Sequence, residues 1–66
     1  MSAAPAHSVS IPVGAIKQFG PFGPEYEVLG PAEAEDGKPM VRIVLVRTNE
    51  EVSYPLDAMM DDPEAL

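Results

Sequence analysis

The sequence predicts a mainly β protein: a small antiparallel four-stranded meander or SH3-like partial barrel with one short C-terminal helix. Three observations lead there. The 66 residues include 8 Pro and 5 Gly, which exclude long uninterrupted helices. Four apolar segments are separated by Gly/Pro/Asn turn signals. One of them, Met40-Val41-Arg42-Ile43-Val44-Leu45-Val46-Arg47-Thr48, is dense in β-branched residues.

Residues 1–10 are small and polar without periodicity and read as a flexible N-terminal tail that holds His7 as a solvated imidazole. Residues 11–19, Ile-Pro-Val-Gly-Ala-Ile-Lys-Gln-Phe, form a first strand. Burying Val13, Ile16 and Phe19 together there requires a bulge, and Gly14 is its place. Gly20-Pro21-Phe22-Gly23-Pro24 enforces turns. Residues 25–29 resume strand character, with Tyr26 and Val28 on one face, and Gly30-Pro31 ends it. A polar connection over 32–39 contains the turn signal Asp36-Gly37. The strand over 40–48 is apolar at both parities, as in a central strand covered on both faces. Thr48-Asn49-Glu50-Glu51 is a hairpin turn, with Asn49 suited to positive φ. Residues 51–56 form an edge strand that tolerates Pro55. Asp57 caps a helical turn that Pro63 stops, and 63–66 form a frayed, acidic end. The single domain therefore spans 11–62, with a core of Val13, Ile16, Phe19, Tyr26, Val28, Ile43, Leu45, Val52, Tyr54, Leu56 and Met59.

Composition narrows the function. With 0 Cys and 1 His there is no disulfide framework, thiolate metal site or Cys nucleophile. Eleven acids against four bases give a charge of −7, which repels nucleic acid and anionic membrane. The N-terminus lacks the basic and apolar regions of a signal peptide, and the longest apolar run, Ile43-Val44-Leu45-Val46, is far short of a membrane span. The expectation is a cytoplasmic protein without cofactor or metal. The carboxylate pairs Glu25/Glu27, Glu50/Glu51 and Asp61/Asp62 read as solvated surface rather than as general acid and base, which need a partly dry cleft.

Two segments are candidate partner-binding sites. Phe22 sits between Pro21 and Pro24, which restrict its freedom. Its alternative role is to cover the edge of the core. Asp57, Met60, Asp61 and Asp62 form an acid-plus-methionine strip suited to a basic groove on a partner. The resulting expectation is a non-catalytic acidic module, antitoxin-like or inhibitor-like, that covers a basic surface of a protein partner. The alternative is a homodimeric structural or accessory subunit of a larger bacterial assembly, because so thin a core gains from a shared sheet.

The string Phe19-Gly20-Pro21-Phe22-Gly23-Pro24-Glu25-Tyr26-Glu27-Val28-Leu29-Gly30 fits the pattern F-G-x-x-G-x-x-Y-E-V-L-G. Val41-Arg42-Ile43, then Thr48-Asn49-Glu50, then Tyr54-Pro55-Leu56 fit V-x-I, T-G-E and Y-P-L, with Asn49 standing where the pattern has Gly. Over residues 13–64 the chain thus resembles a family of short uncharacterised proteobacterial proteins. The resemblance implies a bacterial origin and assigns no activity or site.

Overall fold

The structure, a computed structural model, describes residues 11–65. The expected tail over 1–10, with His7, and Leu66 lie outside the described residues.

Four antiparallel strands form one sheet in sequence order, β1 (Ile16–Gln18), β2 (Glu25–Glu35), β3 (Lys38–Leu45) and β4 (Glu51–Pro55), followed by the helix α1 (Leu56–Asp61). The sheet curls into a half-barrel. The β2–β3 and β3–β4 connections turn at residues suited to them. Asp36 and Gly37 both take positive φ, at 51° and 76°, and reverse β2 into β3. Asn49 takes φ 66° after β3, where its N–H donates to the Leu45 carbonyl at 2.7 Å.

The register decides which side chains face inward. Opposed pairs Lys17↔Tyr26, Tyr26↔Leu45, Val28↔Ile43 and Val41↔Tyr54 share the concave face. Met59 of α1 lies on that face, and Tyr26, Val28, Val41, Ile43 and Met59 are fully buried. Phe19, Leu45, Tyr54, Leu56, Ile11 and Ala15 pack around them.

Several sequence expectations are corrected. The first strand covers only Ile16–Gln18, because Gly14 turns the chain at φ 90°. No bulge turns Ile16 inward. Ala15, Lys17 and Phe19 keep one parity and face the core, which puts Ile16 on the outer side; Val13, of the same parity, is 65% exposed because it lies in the turn at Gly14, before the strand begins. Val52 is also exposed, because it lies on the edge strand beyond the helix's cover. Val41 joins the core in their place. Gly30-Pro31 does not end β2. A bulge at Leu29 shifts the register, so that Gly30 and Ala32 oppose Arg42 and Met40. The ladder alternation set by Val46 N–H donating to the Glu25 carbonyl leaves the Pro31 nitrogen facing away from β3, where its missing N–H costs no bond. β3 stops at Leu45 rather than at Thr48 because Val46–Thr48 already belong to the turn. It is central, as expected, but α1 covers one face; on the other, Arg42 is exposed and Val44 half-buried.

At the C-terminus, Pro55 rather than Asp57 precedes the helix as N-cap, with no side-chain cap bond, and Asp57 lies in the first turn. Residues 63–65 are not frayed. Gln18 N–H donates to the Pro63 carbonyl and Ala65 N–H to the Ile16 carbonyl, both at 2.9 Å, with Glu64 bridged to Lys17. The C-terminal segment therefore covers the outer edge of β1.

Candidate functional site: the Phe22 loop and the Asp62 knot

The loop between β1 and β2 is cross-braced at three points. Phe19 N–H donates to the Pro24 carbonyl at 3.0 Å and closes the base. The Gln18 side-chain amide reaches up the inside and donates to the carbonyls of Pro21 at 3.3 Å and Gly23 at 3.4 Å. Gly20 takes φ 73°, a conformation L side chains rarely adopt. Gly23 is required for a different reason: a Cβ there would overlap the Phe19 backbone carbonyl.

Two phenylalanines three residues apart have opposite fates. Phe19 packs between two tyrosine rings, with centroids 4.5 Å from Tyr26 and 5.1 Å from Tyr54. Phe22 is 96% exposed at the loop tip. The core-edge role for Phe22 is thereby excluded. Immediately after it, Gly23 and Pro24 form one wall of a shallow groove completed by Gln18, Glu25, Val46 and Arg47.

Asp62 holds the base of this loop. One carboxylate oxygen, Oδ2, accepts from the Tyr26 hydroxyl at 2.7 Å and from the Tyr54 hydroxyl at 2.8 Å. The other, Oδ1, accepts from Gly20 N–H at 3.2 Å. Charge-assisted bonds of this kind are the stronger class. Burial, and then the bond to Asp62, pushes both tyrosine hydroxyls above their ordinary range, Tyr54 to about 12 and Tyr26 further still. Both tyrosines therefore stay neutral donors throughout the physiological range.

Of the candidates named from sequence, Phe22 is the exposed tip. Asp57, Met60 and Asp61 are exposed on α1, with Met59 rather than Met60 turned into the core. Asp62 differs from the other acids: it is half-buried and fully engaged, so it is not a free solvated charge. The two candidate segments, separate in sequence, meet here, since Asp62 binds Gly20 and Pro63 binds Gln18.

Two participants escaped sequence reasoning, and Gly20 was legible only as part of the turn. The Gln18 side-chain bonds and the Gly20–Asp62 bond are contacts no local pattern records. Lys17 is buried, its ammonium donating to the Met59 carbonyl near the C-terminal end of α1, where the helix dipole favours a cation. Its strand parity, shared with Ala15 and Phe19, was the available signal. Among the described residues no group of three His, Cys, Asp or Glu is placed to hold a metal ion. Among them, too, no helix is long and apolar enough to cross a membrane.

A protein of Haemophilus influenzae (strain ATCC 51907 / DSM 11121 / KW20 / Rd), described as uncharacterized, is 46% identical over 56 residues, covering 83% of this chain and 89% of that protein. A family model described as "Family of unknown function (DUF5397)" matches residues 3–66. The chain belongs to this family of unknown function, DUF5397.

Proposed function

We propose that the protein is a non-catalytic, acidic binding module of the cytoplasm that covers a basic surface of a protein partner, as an antitoxin or inhibitor does. The observation that carries this reading is the presentation of Phe22. A phenylalanine 96% exposed gains nothing from the fold, yet the loop beneath it is braced by Gln18, Gly23 and Asp62. Bracing lowers the entropy cost of inserting the ring into a partner. Such an aromatic anchor supplies affinity. The exposed acids Asp57, Asp61 and Glu64 on and after α1 supply steering toward a basic rim. The net charge of −7 supports the same reading.

The test is site-specific photocrosslinking in cells of the native host, with benzoylphenylalanine in place of Phe22 or of Glu33 on the distant β2–β3 arm. A discrete adduct to a basic protein from position 22, absent from position 33, is the expected result. No adduct from position 22, or the same adducts from both, contradicts the reading.

A homodimer is the second reading, and one observation favours it. The outer edge of β1 is covered by residues 63–65, whereas no strand pairs with the outer edge of β4 among the described residues. Sedimentation at micromolar concentration separates the two: a 14 kDa species, about twice the 7.0 kDa chain, supports it and a 7.0 kDa species removes it.

A further inference from the structure

We infer that Asp62 is a positioning residue for the Phe22 loop, so that presentation of Phe22 depends on docking of the C-terminal segment 62–65. The inference deepens the reading of Phe22 as an anchor, and its structural part holds independently of any partner.

The geometry is specific. The carboxylate accepts three bonds from three different elements: Gly20 N–H of the loop, the Tyr26 hydroxyl of β2 and the Tyr54 hydroxyl of β4. The two tyrosines fix the carboxylate, since their rings pack on each other at 5.5 Å between centroids and on Phe19 between them. The oxygen left over, Oδ1, is thereby aimed at the loop. Gly20 is two residues before Phe22 and carries the positive φ that starts the turn. Its N–H is the point at which a side chain from outside the β1–β2 hairpin grips the loop.

Asp62 is itself located by backbone on both sides. Its N–H donates to the Ala58 and Met59 carbonyls and so terminates α1. The residues after it pair with β1 through Pro63 and Ala65. Displacing this segment removes the Gly20 acceptor and the outer partner of β1 together. The remaining braces, the Gln18 side chain and the Phe19–Pro24 bond, lie within the β1–β2 hairpin. Asp62 is therefore the side chain that ties the loop to β2 and β4 together, beside the packing of Phe19 on the two tyrosines.

Nitrogen-15 relaxation of the full-length protein tests this, in Asp62→Ala and in Asp62→Asn, which keeps shape and one acceptor. The readout is the order parameter at Gly20, Phe22 and Gly23, with Ile43 as reference. Fast loop motion is not moved by a change in global stability alone. The expected result in Asp62→Ala is a fall at the three loop amides from the rigid value of about 0.85 to below about 0.6, with Ile43 unchanged. Asp62→Asn should show a smaller fall at the same sites. Should Asp62→Ala not fold, Asp62→Asn decides alone. Loop order parameters equal to those of the unmodified protein in a folded variant overturn the inference. Phe22→Ala is the independent control: it should leave the order parameters at Gly20 and Gly23 unchanged. Failure of the anchor reading would appear instead as undiminished partner binding by that variant.

Discussion

Replacing Tyr26 with Phe removes one hydroxyl and leaves its ring in place. The ring is fully buried, so packing against Phe19 at 4.5 Å persists and the change isolates the 2.7 Å bond to Asp62. A hydrogen bond to a charged partner contributes about 1.5–3 kcal/mol. Asp62 keeps two other donors, Tyr54 and Gly20, so the carboxylate is not orphaned and the low end applies, about 1.5 kcal/mol. A core this small supplies only about 3–5 kcal/mol in total. The substitution thus removes about 30–50% of the stability, and at roughly 4–8 °C per kcal/mol the melting temperature should fall by roughly 6–12 °C. Tyr54→Phe should cost less, because Tyr54 is less buried than Tyr26 and its site is more readily reached by water. Urea unfolding monitored by circular dichroism measures both, and the double variant measures their coupling. The two changes should be non-additive because they share one oxygen. A loss below about 0.5 kcal/mol for Tyr26→Phe, the range of an ordinary surface change, would refute the assignment of Asp62 as the centre of the knot.

Stability should decline at alkaline pH. Both tyrosine pKa values are raised in the folded state, so the stabilisation is complete below pH 10, where the unfolded hydroxyls are also neutral, and is lost as pH rises from 10 past about 12; urea midpoints at pH 8, 10 and 11 that coincide would contradict this. Met59→Ala should remove about 2–5 kcal/mol, comparable to the whole stability, so the far-UV spectrum at 25 °C should show a largely unfolded chain. Gly23→Ala should disrupt the loop, because the added methyl meets backbone that cannot rotate away; amide shifts at Gln18, Phe19, Gly20, Phe22 and residue 23 should move while those of β3 stay.

The legible parts of the fold were those written locally. Asp36-Gly37 and Asn49 carry their turn preference in their own backbone, and both take the positive φ expected of them. The Gly30-Pro31 pair misled because its effect depends on which way the proline nitrogen faces, and that follows from a bulge placed by pairing with β3. The first strand misled for a similar reason. Ile16 is the more apolar residue, but the parity fixed by Lys17↔Tyr26 turns Lys17 inward, where its ammonium donates to the Met59 carbonyl. Phe22 was recognisable as a candidate because two prolines flank it; its exposure was not, since Phe19 and Phe22 are equivalent in composition and only one fits between the tyrosines. The role of Asp62 was invisible. Its three donors lie 8, 36 and 42 residues away, so that in sequence it is one acid among eleven.

The central claim, that Phe22 serves recognition and not folding, is tested most directly by melting temperature and partner affinity measured on Phe22→Ala, the partner being the protein crosslinked through position 22. The account predicts a melting temperature within about 2–4 °C of the unmodified protein, as for any exposed side chain. It predicts affinity weakened by about 30-fold or more, the loss of about 2 kcal/mol expected of an aromatic anchor. Unchanged affinity, or a fall in melting temperature large enough to account for the lost binding, would contradict it.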